Sequence, residues 1–165
     1  MTAVEKGPCL LAVRLRGTVG DNPEVRKTLE NLRLVRVYNA RLLQSTPSNN
    51  GMLRAAKNLV AWGEVDPATL ELLLAKRAEG ENKTMILDED FLKRRFGKDG
   101  FAQLASSLVA GEIEIGELWR AGLKPRFRLH PPRGGFRRST RRAFTDGGEL
   151  GYRGAEINSL ARRMI

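Results

Sequence analysis

"LVRVYNARLLQSTPSNNGMLRAAKNLVAWGEV", residues 34–65, changes texture three times, and those changes set the fold. Leu34 to Gln44 is rich in β-forming side chains and holds no glycine or proline, which predicts a strand. The next seven residues, "STPSNNG" from Ser45 to Gly51, are turn chemistry at almost every position. Ser48 to Asn50 can cap a helix that begins near Met52, with Met52, Ala55, Ala56 and Leu59 on its apolar face. "LVAWGEV", Leu59 to Val65, returns to β composition and predicts a further strand.

The same alternation extends to either side. Leu11, Val13 and Leu15 alternate with Ala12, Arg14 and Arg16, the period of two expected of a strand with one buried face. Gly17, Gly20, Asp21 and Asn22 break it. Asn22 then suits an N-cap and Pro23 a first helical position, after which Val25, Leu29 and Leu32 recur at helical spacing. Downstream, Asp66 and Pro67 open a helix whose Leu70, Leu73, Leu74 and Arg77 share a side and which Gly80 closes. "DEDFLKRRFG" predicts another, with acids at its start, bases at its end and Gly97 as its stop. A third runs from about Gly100 to Ala110 on Phe101, Leu104, Ala105 and Leu108, while "GEIEIGEL" with Glu112, Glu114 and Glu117 reads as a solvated strand edge or turn.

Net charge is +10 with 41% hydrophobic residues, enough apolar material for a core and enough positive field to attract a polyanion. The charge is unevenly placed: residues 120–165 hold twelve Lys/Arg against three Asp/Glu, while residues 1–119 hold seventeen against sixteen. Eleven of those twelve are arginine, whose planar fork suits phosphate and whose faces stack on bases, a preference that lipid surfaces rarely require. Phe127, Phe136, Phe144 and Tyr152 are interleaved with Arg126, Arg128, Arg133, Arg137, Arg138, Arg141, Arg142 and Arg153, the mixture that pairs phosphate contacts with stacking on unpaired bases. Gly134 and Gly135 let backbone approach a phosphate closely. With prolines at 125, 131 and 132 and few long apolar residues, this quarter predicts little core of its own and a loop or arm held by its partner, between a short strand in "KPRFRLH" and a terminal amphipathic helix in "AEINSLARRMI".

Catalytic chemistry finds little to stand on. His130 is the only histidine and Cys9 the only cysteine, so a histidine pair, a Cys/His zinc set and an internal disulfide are all excluded within one chain. Cys9 lies in an apolar run and reads as core; Asp88, Glu89 and Asp90 read as helix-start acids rather than metal ligands. No phosphate-binding glycine loop has the required spacing, and no cofactor or small-molecule substrate is expected. The apolar run before Arg14 is too short for a signal segment or membrane span, which predicts a soluble cytoplasmic chain with no membrane partner.

"STPSNNGML" at 45–53, "VAWGEVD" at 60–66 and "LHPPRGGF" at 129–136, in this order of elements, resemble the large-subunit ribosomal protein L-thirty family, in its archaeal and eukaryotic branch. The resemblance covers essentially the full chain. It implies an α+β fold: a β-α-β-α-β core over residues 1–65, with a three-stranded antiparallel sheet and two helices on one face, somewhat ferredoxin-like. A helical segment at 66–119 and a basic C-terminal extension at 120–165 complete one compact domain. It further implies binding to large-subunit rRNA among neighbouring ribosomal proteins, without catalysis or metal. Carried onto this sequence, the RNA-facing elements are Thr46, Pro47, Ser48, Asn49, Asn50, Gly51 and Met52 with Arg54 and Lys57, and Leu129 to Arg138 with His130, Pro131, Arg133, Gly134, Gly135 and Phe136. Arg126, Arg128, Arg141 and Arg142 are added from the charge pattern. The alternative is a free RNA-binding or RNA-chaperone module outside the ribosome.

Overall fold

Three helices begin the same way, on a polar capping residue followed by proline. The computed structural model describes residues 7–82 and 87–165. In it Asn22, Thr46 and Asp66 each turn a side-chain oxygen onto a backbone N–H of the first helical turn, with proline just inside. They open α1 (Pro23–Asn31), α2 (Pro47–Ala55) and α3 (Pro67–Arg77). Ser48 to Asn50 therefore lie within α2 instead of capping it, because Thr46-Pro47 is the stronger start signal: the proline has no N–H to leave unpaired and its φ is already helical. The expectation that the N-terminus lacks a targeting segment falls partly on residues 1–6, outside the described residues.

The central strands are β1 (Cys9–Arg14), β2 (Asn39–Gln44) and β3 (Val60–Glu64), with β1 in the middle and antiparallel to both. Leu11 is opposite Leu42 on one side and Gly63 on the other. β1 is buried on both faces, not one. Cys9, Leu11 and Val13 enter one apolar cluster, Leu10 and Ala12 the other, since helices cover the sheet from both sides. β2 starts at Asn39 rather than Leu34. The Arg14 guanidinium donates to the carbonyls of Leu34 and Val35 at 3.0 and 2.5 Å, and Tyr38 has φ 68°, so those residues have no ladder to join.

On one face Leu29, Leu32, Leu53 and Ala56 of the α1 and α2 region pack with Leu10, Ala12, Val60 and Trp62. The opposite face lies under α3 and four further helices: α4 (Glu89–Phe96), α5 (Phe101–Ala110), α6 (Ile115–Arg120) and α7 (Ile157–Met164). Leu70, Leu73, Leu104, Leu118, Ile157 and Leu160 from these share a cluster with Leu11, Val13 and Leu42. Each fully buried leucine contributes roughly 1.5–3 kcal/mol of transfer free energy. Two expected boundaries move. α3 ends at Arg77, and Gly80 belongs to a two-residue strand β4 (Glu79–Gly80) paired with β5 (Leu123–Lys124). The "GEIEIGEL" stretch turns into α6 because Glu114 and Glu117 form a reciprocal capping box.

The last quarter corrects the sequence expectation most. Strands β6 (Arg126–Arg128), β7 (Ser139–Ala143) and β8 (Gly148–Tyr152) widen the sheet to six, in the order β6-β2-β1-β3-β8-β7. β6 is antiparallel to β2 and β8 parallel to β3. Leu123, Phe127, Leu150, Ile157, Leu160 and Met164 all enter the shared core, so this quarter is built into the domain and is not a loose arm. Its apolar residues are too sparse to make a core alone, but each lands where the sheet has an open edge or face. Gly63 marks the closest approach: the carbonyl of Gly154 lies against β3 there, and a Cβ would overlap it.

Candidate nucleic-acid interface

The first expected element is the start of α2. The Thr46 hydroxyl accepts the Asn49 N–H at 3.2 Å, the Asn49 side-chain amide donates to the carbonyl of Gln44 at 2.8 Å, and that of Asn50 donates to the Ser45 hydroxyl at 3.2 Å. These bonds tie the helix start to the end of β2. Pro47, Ser48 and Gly51 stay exposed, Met52 is half-buried against the α1 and α2 cluster, and Arg54 and Lys57 point to solvent with no ion-pair partner among the described residues. The first turn of α2 carries no acid, unlike those of α1 and α4, so its free N–H groups are not already neutralised.

The second element leaves β6 at one edge of the sheet and enters β7 at the other, so residues 129–138 cross the whole sheet. Leu129 N–H donates to the carbonyl of Tyr38 at 3.2 Å, His130 N–H to that of Met164 at 3.2 Å and Arg133 N–H to that of Arg163 at 2.9 Å. The His130 ring nitrogens lie 3.0 Å from the carbonyl oxygens of Pro131 and Ile165. Pro132 is buried, Arg163 donates to the carbonyl of Gly135 at 2.8 Å, and Phe136 stacks on Tyr38 with ring centroids 6.5 Å apart. Gly134 and Gly135, at φ 76° and 75°, make the turn between these anchors. His130 and Phe136 thus serve the protein interior, while Pro131, Arg133 and Arg137 face outward.

Beyond the crossing, Arg138 N–H donates to Glu149 at 3.1 Å. The other oxygen of that carboxylate meets the buried Arg153 at 2.6 Å. The guanidinium groups of Arg138 and Arg153 each sit 4.9 Å from the centroid of the Phe144 ring. Arg133, Arg137, Arg138, Arg141 and Arg142 are exposed, and among the described residues none has a carboxylate partner for its guanidinium. Arg126 is half-buried on β6, and Arg128 is partly engaged by Glu79 at 3.4 Å. Sequence patterns missed the Glu149 support, since one acid in a basic stretch carries no signal of being buried.

The two elements are not adjacent at their starts. Arg128 is opposite Asn39 at the beginning of β2, whereas Thr46 follows its end, a separation of roughly 20 Å along an extended strand. α2 then carries Arg54 back along the sheet, Lys57 follows in the turn after it, and the Lys57 carbonyl approaches Gly151 in β8. A ligand touching both elements must be extended and multiply charged, as a polynucleotide is.

Other chemistry is sparsely provided. Burial pushes the Cys9 thiol up to about 12, which removes it as a nucleophile at neutral pH. Asp88 accepts the Phe91 N–H at 2.8 Å as the cap of α4. Among the described residues no group of three or more His, Cys, Asp or Glu could hold a metal, and no helix is long and apolar enough to cross a membrane.

The profile described as ribosomal protein L30p/L7e matches residues 10–60, from within β1 to the first residue of β3. A protein of Korarchaeum cryptofilum named large ribosomal subunit protein uL30 is 44% identical and aligns over 100% of both chains. Proteins of the same name from Aeropyrum pernix and Thermofilum pendens are 43% and 45% identical, covering 96% and 94% of this chain and 99% and 97% of their own. With this degree of identity along its whole length, the chain belongs to the ribosomal protein L30p/L7e family.

Proposed function

We propose that this protein is a structural, non-catalytic constituent of the large ribosomal subunit, acting in the cytoplasm by binding large-subunit rRNA among neighbouring ribosomal proteins. The observation that carries it is the end-to-end similarity to archaeal proteins named large ribosomal subunit protein uL30. Residues 1–65, with β2-β1-β3 and the two helices on one face, form the rRNA-binding core, a reading favoured by the family profile, which matches residues 10–60 within it. The described residues of 66–119 cover the opposite face together with α7, and residues 120–165 supply both outer edges of the sheet and most of the excess charge.

RNA meets two surfaces: the start of α2 from Thr46 to Met52 with Arg54 and Lys57, and the crossing with Arg126, Arg128 and Arg133 to Arg142. The unpaired outward arginines favour this assignment, since each phosphate they neutralise releases condensed counterions. Thr46, Asn49, Asn50, His130, Pro132 and Phe136 hold the backbone that presents them. Sucrose-gradient sedimentation of cell extract, with subunits dissociated at low magnesium, tests the assignment. Stoichiometric migration with the large subunit is expected; recovery mainly in light fractions would transfer the function to a free RNA-binding module.

A further inference from the structure

A further cationic concavity lies at the β6 edge, sharing only Arg126 with those two elements. Arg33, Arg41, Arg120, Lys124 and Arg126 line a cavity of about 490 Å³, within the usual range of roughly 300–1,000 Å³ for ligand pockets. Five cations share one concavity, and no Asp or Glu is among its lining residues. None of the five has an ion-pair partner among the described residues; Arg41 reaches only the Asn31 carbonyl, at 3.4 Å. Burial, and then the neighbouring charge of Arg33, lower the pKa of Arg41, so the cluster carries repulsion that an anion would relieve. Trp119 lines the same cavity and leaves 62% of its surface exposed, unusual for the largest apolar side chain.

The backbone adds an independent sign. Arg33 has φ 57° just beyond the end of α1, a conformation that glycine adopts freely and arginine does not. The position keeps a side chain at a cost that glycine would avoid, and that side chain faces the cavity.

We propose that this edge is a nucleotide-binding groove, in which Arg33, Arg41 and Arg126 hold a phosphate of large-subunit RNA and Trp119 stacks on an unpaired base beside it. The inference rests on the RNA-binding function proposed above and adds to it a third contact, which meets the crossing at Arg126. An acidic polypeptide would satisfy the charges but would leave the indole face without a planar partner; a nucleotide uses both.

The full-length protein titrated with a ten-residue oligouridylate at low salt, followed by tryptophan emission and by filter binding, tests the groove. Quenching is expected on binding. Trp119→Ala should weaken binding about tenfold and Trp119→Phe should restore most of it, as base–aromatic stacking requires. Arg33→Gly should leave the melting temperature unchanged or raised, because the φ strain is relieved, yet reduce the log–log salt slope by about 0.7 for each phosphate no longer neutralised. If Arg33→Gly and Trp119→Ala bind like the parent while Arg137→Ala with Arg138→Ala weakens binding, the groove is refuted and the RNA-binding function stands. Equal competition by polyglutamate would make the occupant an acidic protein segment and overturn the proposal. Failure of the unaltered protein to bind oligouridylate also overturns it; if the protein in addition leaves the large subunit in gradients, the wider function falls with it.

Discussion

Glu149 and Arg153 form an ion pair of 2.6 Å in which both side chains are almost wholly excluded from water, and the same carboxylate accepts the Arg138 N–H. The arginine-dense stretch is therefore fixed from below by one acid. Removing one partner of a buried pair leaves the other charged and unsolvated. Glu149→Ala should cost roughly 3–5 kcal/mol, and Arg153 already has an unsatisfied Nε in the same space. Urea denaturation measures the loss, and a cost below about 1 kcal/mol would show that water reaches Arg153.

Tyr38 and Phe136 supply the second anchor, with Tyr38 held in a left-handed conformation while its carbonyl receives Leu129 N–H. Phe136→Ala removes no charge. If the crossing is preorganised by this stack, the variant should lose about 0.5–1.5 kcal/mol beyond the area term and exchange the amides of Leu129 and His130 faster. RNA affinity should fall as the segment must be ordered on binding. Unchanged exchange with unchanged affinity would mean that the backbone bonds to Met164 and Arg163 hold the crossing alone.

The outward arginines should act through charge. Arg137→Ala with Arg138→Ala, and Arg141→Ala with Arg142→Ala, should each flatten the salt dependence of rRNA binding by about 0.7–0.9 log–log unit for every phosphate left without its arginine. Their melting temperatures should change little, except for the contribution of Arg138 stacked on Phe144. Equal salt slopes in parent and variants would place the RNA elsewhere.

Where a signal is local, the sequence carried it. Asn22-Pro23 and Asp66-Pro67 mark helix starts because cap and proline act over three residues, and Gly97 and Gly111 end α4 and α5 in the left-handed conformation. Leu34 to Tyr38 has strand composition yet no strand, because Arg14, twenty positions earlier, takes the carbonyls a ladder would need. The C-terminal quarter misleads for a similar reason: Phe127 and Leu150 are isolated in sequence, and only pairing of β6 with β2 and β8 with β3 shows that each fills a core. Arg33, Arg41, Trp119 and Arg126 are likewise scattered, and no window of sequence could join them.

Cys9 gives a prediction with a definite sign in pH. Its thiol has an ordinary value of 9.0 and is raised by burial to about 12 in the folded protein. The folded state therefore keeps a proton that the unfolded chain releases first. Stability attributable to this group is fully present below about pH 9 and declines as pH rises from there towards 12. Cys9→Ala should be less stable than the parent at pH 7, because a buried side chain is shortened, yet the difference should narrow at pH 10. Every other ionisable group is common to both proteins and cancels in the comparison. Iodoacetamide at pH 8 should label Cys9 in denaturant and barely at all in the native protein. A constant stability difference between pH 7 and pH 10, or rapid native labelling, would show that the strand carrying Cys9 opens to solvent.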